Sequence, residues 1–174
     1  MIALGIDPST KATGLVVLSS SLKHGPDLLC EKSYQPKKLE GMKRVSAILG
    51  AIIEIMEEFK PDAIAVENYG LNFQRKTSII PLVSLGAIIR YYFEQEEIRY
   101  LSPTPSEHKR FITGSGNTKK DLIPSFIFEV WGHQPLDGDC ADAYGLACMA
   151  LAHRNALCNA NLTMREVAGQ LKAF

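Results

Sequence analysis

In MIALGIDPSTKATGLVVLSS (residues 1–20), the apolar run Ile2-Ala3-Leu4-Gly5-Ile6 ends in a carboxylate, Asp7, and after a tight turn a second apolar run resumes from Gly14 to Leu18. Short apolar runs bounded by Pro and Gly read as buried strands, and two of them joined this closely read as a hairpin. A carboxylate at the mouth of a buried strand must have a partner, because a charge taken out of water uncompensated is expensive.

Working outward, LLCEKSY (residues 28–34) reads as a third strand behind the turn signal His24-Gly25-Pro26-Asp27, which completes an antiparallel meander. From Leu39 to Phe59 the apolar residues Met42, Val45, Ile48, Leu49, Ile52, Ile53 and Met56 recur at helical spacing, and Lys60-Pro61-Asp62 ends the run. AIAVE (residues 63–67) is again a short apolar strand that ends acidic, at Glu67. The spacing then predicts a helix over 78–94, a short strand IRYLS (98–102), a helix over 104–112, a loop TGSGNTKK (113–120), and helices over 121–131 and 139–154. A last helix is expected at 163–171, where Thr163 and Glu166 have capping-box spacing. The order β-β-β-α-β-α-β-α-α-α describes an α/β sheet with helices packed on it.

With 174 residues and 46% hydrophobic content, the chain can bury one substantial core and not two. Its formal net charge is zero, so a nucleic acid would have to be held by a local basic patch. Cys30, Cys140, Cys148 and Cys158 show neither zinc-site nor disulfide spacing and read as reduced thiols. With no leader-like or membrane-spanning apolar stretch, the expectation is a soluble cytoplasmic protein without a membrane partner.

Asp7 and Glu67 would stand side by side if their strands are neighbours, and like charges that close call for a shared proton or a cation. DGDCADAYGLA adds Asp137, Asp139 and Asp142, of which the last two lie three apart and so share one face at the start of a helix. Taken singly, Asp7 could merely start a turn and Asp139 merely cap a helix. Taken together, four oxygen donors suit a hard cation, Mg²⁺ or Mn²⁺, and can hold two ions roughly 4 Å apart, with Asp7 bridging them.

GIDPSTKATG, AVENYG and DCADAYGLA, in this order over most of the chain, resemble the RuvC-like Holliday-junction resolvases of the ribonuclease H-like superfamily. The resemblance implies a mixed sheet, three antiparallel strands plus parallel ones, with helices on both faces, a nuclease domain over 1–158 and a helical tail over 159–174. It places the catalytic and metal-holding acids at Asp7, Glu67, Asp139 and Asp142, although some members carry His at the position of Asp139. Phosphate-contacting catalytic lysines fall on Lys109 and Lys119, with Lys120 the alternative because the glycine loop needs a one-residue shift. Lys37, Lys38, Lys43, Arg44, Arg75 and Lys76 could extend a basic strip. The family's aromatic residue three positions after the glutamate is replaced here by Gly70, so Tyr69 or Phe73 would take its place in contacting DNA. The resemblance also implies a homodimer, for which the apolar helix over 77–93 is the candidate interface.

The expected activity is metal-dependent cleavage of four-way junctions, with other branched DNA as a further candidate substrate, by symmetric nicks that leave 5′ phosphate and 3′ hydroxyl ends. Two alternatives on the same fold are a ribonuclease H acting on RNA–DNA hybrid and a non-catalytic recombination protein that binds DNA. An actin-like nucleotide-binding reading of DPSTKATG lacks a second phosphate loop. Whether a branch-migration motor partners the protein is open at this level.

Overall fold

Alternation along the first strand sorts the whole molecule into two layers of helices. In the computed structural model, which describes residues 1–21, 23–68 and 76–174 (backbone alone for 76–80), β1 spans Ile2–Asp7. Successive side chains of a strand point to opposite faces. Ala3 accordingly joins one apolar cluster, and Leu4 and Ile6 join another. β2 (Thr13–Ser19) and β3 (Asp27–Tyr34) continue the meander, α1 (Gly41–Phe59) follows, and β4 (Ala63–Val66) returns parallel to β1. Among the described residues the sheet order is β3-β2-β1-β4.

α1 and α2 (Lys76–Gln95) cover one face through Val45, Ile48, Ile52 and Ile55 and through Leu85, Ile89 and Phe93. α3 (Pro105–Thr113), α4 (Ile123–Trp131), α5 (Gly138–His153) and α6 (Leu162–Gln170) cover the other. This is the mixed sheet with helices on both faces that the resemblance implies.

α5 lies directly on β1 and β2 and is buried from Cys140 to Ala152. Its backbone can come that close because two strand positions have no side chain. A Cβ at Gly5 would stand 2.5 Å from Ala147 N and nearer still to the Ala143 carbonyl oxygen, and one at Gly14 would collide with the Asp139 carbonyl.

Two expectations need correction. The segment 98–102 is no full strand: among the described residues only its Leu101 bridges to β4, its N–H donating to Ile64 O (2.8 Å) and its carbonyl accepting from Val66 N (2.9 Å). Pro103 follows and has no N–H to extend the ladder. Along the outer side of this segment runs the C-terminus, where Phe174 N donates to Tyr100 O (3.0 Å) and the two rings stack at 5.8 Å. The cap of α6 is Asn161, whose side chain accepts from Met164 N (2.9 Å), and not Thr163. Thr163 already lies inside the first turn, and Glu166 turns instead toward Arg110 (3.9 Å). Met164, Val167 and Ala168 of α6 are buried in the same cluster as α5, so the tail closes on the domain's own core. All four cysteines are free, and among the described residues no helix is long and apolar enough to cross a membrane.

Candidate active site

Parallel pairing of β1 with β4 puts Ile6 opposite Val66, so Asp7 and Glu67, each the next residue, leave the sheet side by side. The Glu67 N–H donates to Ile6 O (3.0 Å), and its carbonyl is held by the Arg90 guanidinium (3.1 Å), which also reaches Ser102 Oγ (3.0 Å). The backbone under this acid is therefore pinned from both sides.

The other two acids come from the start of α5. Here the capping residue is Asp137, whose carboxylate accepts from Cys140 N at 2.8 Å. Burial works to raise its pKa, but hydrogen bonds from Ser33 and Cys140 prevail and hold it below the ordinary value. With the capping role filled by Asp137, Asp139 and Asp142 are left for the site.

Lys120 brings the cluster together. Its ammonium lies 2.6 Å from Asp142 Oδ2, 3.2 Å from Asp139 Oδ1 and 3.4 Å from Asp7 Oδ2, while its side chain remains 54% exposed. The loop after α3 delivers it: Gly114, in the left-handed region at φ +81°, ends the helix, and the Thr113 and Thr118 hydroxyls bond at 2.7 Å. A 3-10 turn then opens at Lys120 (Lys120–Leu122). Lys119, in extended backbone, stands just before that turn. The lysine among the acids is thus Lys120 and not Lys119, which is exposed; among the described residues neither Lys119 nor Lys109 forms an ion pair with the acids.

The electrostatics follow from burial and crowding. Burial first, then the charge of Glu67, pushes the Asp7 carboxyl well above its ordinary range, against the pull of Lys120. Burial also raises Asp142, opposed by His108 and Lys120. Burial would lower the Lys120 pKa, but Asp7 and Asp142 outweigh it and raise the ammonium's pKa.

Would this donor set suit a metal? Among the described residues no three side chains are gathered tightly enough to hold an ion as they stand. What stands between three of the carboxylates is a cation, the Lys120 ammonium, and the ligands are all oxygen. Three acids share that one ammonium and Glu67 stands beside them, so carboxylates outnumber the lysine at the site. The residues fit a hard divalent cation, with Lys120 standing in for it.

His108 has no counterpart in the sequence reading. It is buried, and its Nδ1 lies 3.3 Å from Glu67 Oε1 and 3.9 Å from Asp142 Oδ1. One signal could have found it: His108 shares the i, i+3, i+4 spacing of Phe111 and Ile112, the buried face of α3. Arg90 was missed too, since nothing local distinguishes it from other charges on α2. Tyr69, Phe73 and Arg75 lie outside the described residues, as does the side chain of Lys76. Arg44 turns inward and donates to Leu39 O and Thr10 O.

Comparison with known proteins finds relatives over most of the chain. The family model of crossover junction endodeoxyribonuclease RuvC matches residues 3–153. The RuvC of Brachyspira hyodysenteriae is 30% identical over 162 residues, which cover 91% of this chain and 98% of that one. The RuvC of Syntrophomonas wolfei is 30% identical over 149 residues, 84% of this chain and 86% of that one. Among solved structures, Thermus thermophilus RuvC in complex with Holliday junction substrate superposes with a TM-score of 0.77 at 20% identity, covering 100% and 99% of the two chains.

Proposed function

Since the chain belongs to the RuvC family of crossover junction endodeoxyribonucleases, and is with them a metal-dependent nuclease that resolves Holliday junctions, we propose that its active site is Asp7, Glu67, Asp139 and Asp142 with Lys120. The observation that carries this assignment is the convergence of Asp7, Asp139 and Asp142 around one lysine ammonium at 2.6–3.4 Å, with Glu67 brought beside Asp7 by the parallel pairing of β1 and β4.

The four carboxylates would hold two Mg²⁺ or Mn²⁺ ions. When bound, these supply an activated water and charge neutralisation at the phosphate. Asp7, placed between Glu67 and the α5 acids, would serve both ions. Lys120, long and half-exposed, is free to swing from the acids to the phosphodiester, where its charge stabilises the negative charge that develops during cleavage. Lys119, on the outer side of the same turn, and Lys109 contact the DNA backbone away from the reacting bond, and contacts of this kind supply affinity without sequence reading.

Two nicks in strands of like polarity call for two copies of this site, and α2 offers the surface. Its residues Leu85, Ile89 and Phe93 face the core, whereas Val83 and Tyr91, with Ala87 between them, form an exposed stripe on the opposite side. The protein acts as a homodimer through this stripe. Tyr91→Lys is expected to shift the mass measured by light scattering from dimer to monomer; a wild-type monomer would remove this part of the reading.

The substrate is tested with a mobile four-way junction, matched duplex and RNA–DNA hybrid, each with Mg²⁺ and with chelator. Paired nicks in the junction alone are expected. Cutting of the hybrid alone would keep the fold and the acids and replace the substrate.

A further inference from the structure

His108 occupies a core position in α3, where an apolar side chain would ordinarily stand. Its ring is 1% exposed, and among the described residues Nε2 has no hydrogen-bond partner. On the facing helix, a Cβ at Gly145 would stand 2.5 Å from Nε2 and nearer still to Ile112 Cδ1, so the glycine makes room for both side chains. An unpaired buried nitrogen costs stability, so the ring stands in the core against a penalty.

Nδ1 faces the site, 3.3 Å from Glu67 Oε1 and 3.9 Å from Asp142 Oδ1. A proton on Nε2 would have nothing to donate to, whereas a proton on Nδ1 meets a carboxylate, so the surroundings favour the tautomer protonated on Nδ1. The two nitrogen donors around the acids then differ in kind. Lys120 approaches Asp7, Asp139 and Asp142 from solvent and can leave; the imidazole is sealed beneath Glu67 and Asp142 and cannot.

We propose that His108 is a positioning residue that holds the Glu67 and Asp142 carboxylates from the buried side through Nδ1–H and so orders them for the divalent ion. The proposal rests on the reading that the acids bind that ion. Groups that orient metal ligands in this way are commonly worth about 10- to 100-fold in metal affinity.

The test is Mn²⁺ binding to the full-length protein without DNA, followed by electron paramagnetic resonance, for wild type, His108→Leu, His108→Asn and Asp142→Asn. Leucine fills the site but donates nothing, whereas asparagine keeps a donor near the Nδ1 position. His108→Leu is expected to weaken Mn²⁺ binding about tenfold or more while melting, metal-free, no lower than wild type, and His108→Asn to stay within about threefold of wild type. Unchanged affinity in His108→Leu, or an equal loss in folded His108→Leu and His108→Asn, would overturn the proposal. Unchanged affinity in Asp142→Asn would instead overturn the assignment of the acids. A second measurement needs no variant: ¹H–¹⁵N spectra of the wild-type imidazole should show a proton on Nδ1, and an imidazole protonated on Nε2 alone would refute the proposal.

Discussion

Gly5→Ala adds one methyl group to the middle of β1 and should disable an active site to which Gly5 contributes no atom. The new Cβ would stand 2.5 Å from Ala147 N and closer to the Ala143 carbonyl, against 3.4 Å for ordinary contact. The obstacle is helix backbone and not a side chain that can rotate away, so α5 must retreat by more than about 0.9 Å, the gap at Ala147 N, because the Ala143 oxygen starts nearer still. Overpacking of this kind costs about 1–3 kcal/mol, and backbone resistance puts this case at the upper end. For a chain of this size about 3 kcal/mol lowers Tm by roughly 6–12 °C. The same retreat carries Asp139 and Asp142 away from Asp7 and Glu67, and displacements near 1 Å can slow catalysis by about 100-fold. Thermal melts and single-turnover junction cleavage measure the two effects. A variant that melts within about 2 °C of wild type and cuts at the same rate would refute the argument that glycine is required for the approach of α5.

Three further outcomes follow from the geometry. Lys120→Ala should slow cleavage by about 100-fold or more, whereas Lys119→Ala should leave the rate of a pre-bound junction nearly unchanged; equal effects would show that the wrong lysine has been placed at the phosphate. Asp7→Asn should abolish cleavage and yet raise the melting temperature of the metal-free protein. The Asp7 pKa is raised on folding, so its stabilising contribution is complete below the ordinary 3.8 and is lost as pH rises through the folded value. The gap in melting temperature between Asp7→Asn and wild type should therefore widen from about pH 4 upward, and a gap independent of pH would contradict the assigned burial. Asn161→Ala should cost about 1 kcal/mol through loss of the α6 cap, and Thr163→Ala under about 0.5 kcal/mol; denaturant titration reads both, and the reverse order would restore Thr163 as the cap.

β1, β2 and β4, as short continuous apolar runs, and α1, with its regular spacing, were legible because local pattern and tertiary environment agree there. Asp7 and Glu67 were legible for the opposite reason: a carboxylate that ends an apolar strand contradicts its surroundings, and the contradiction marks the site. What stayed hidden depends on three-dimensional neighbours. Thr104 and Glu107 form a true capping box in α3, with Thr104 Oγ1 accepting from Glu107 N, while the same spacing at Thr163 and Glu166 does not, because Asn161 reaches the free N–H first. The choice between Lys119 and Lys120 turns on backbone direction at a single residue, which composition cannot report. The spacing of His108 with Phe111 and Ile112 could mark it as buried, but its role beside the acids shows only once α3 is seen to face them.

The most direct test of the account is cleavage of a mobile four-way junction with Mg²⁺ by wild type and by Asp142→Asn, with junction binding measured on the same samples in chelator. Symmetric paired nicks from wild type, none from Asp142→Asn and equal binding by both are the predicted result. Nicks that persist in Asp142→Asn, or in wild type with chelator, would contradict a metal-dependent nuclease built on these four acids.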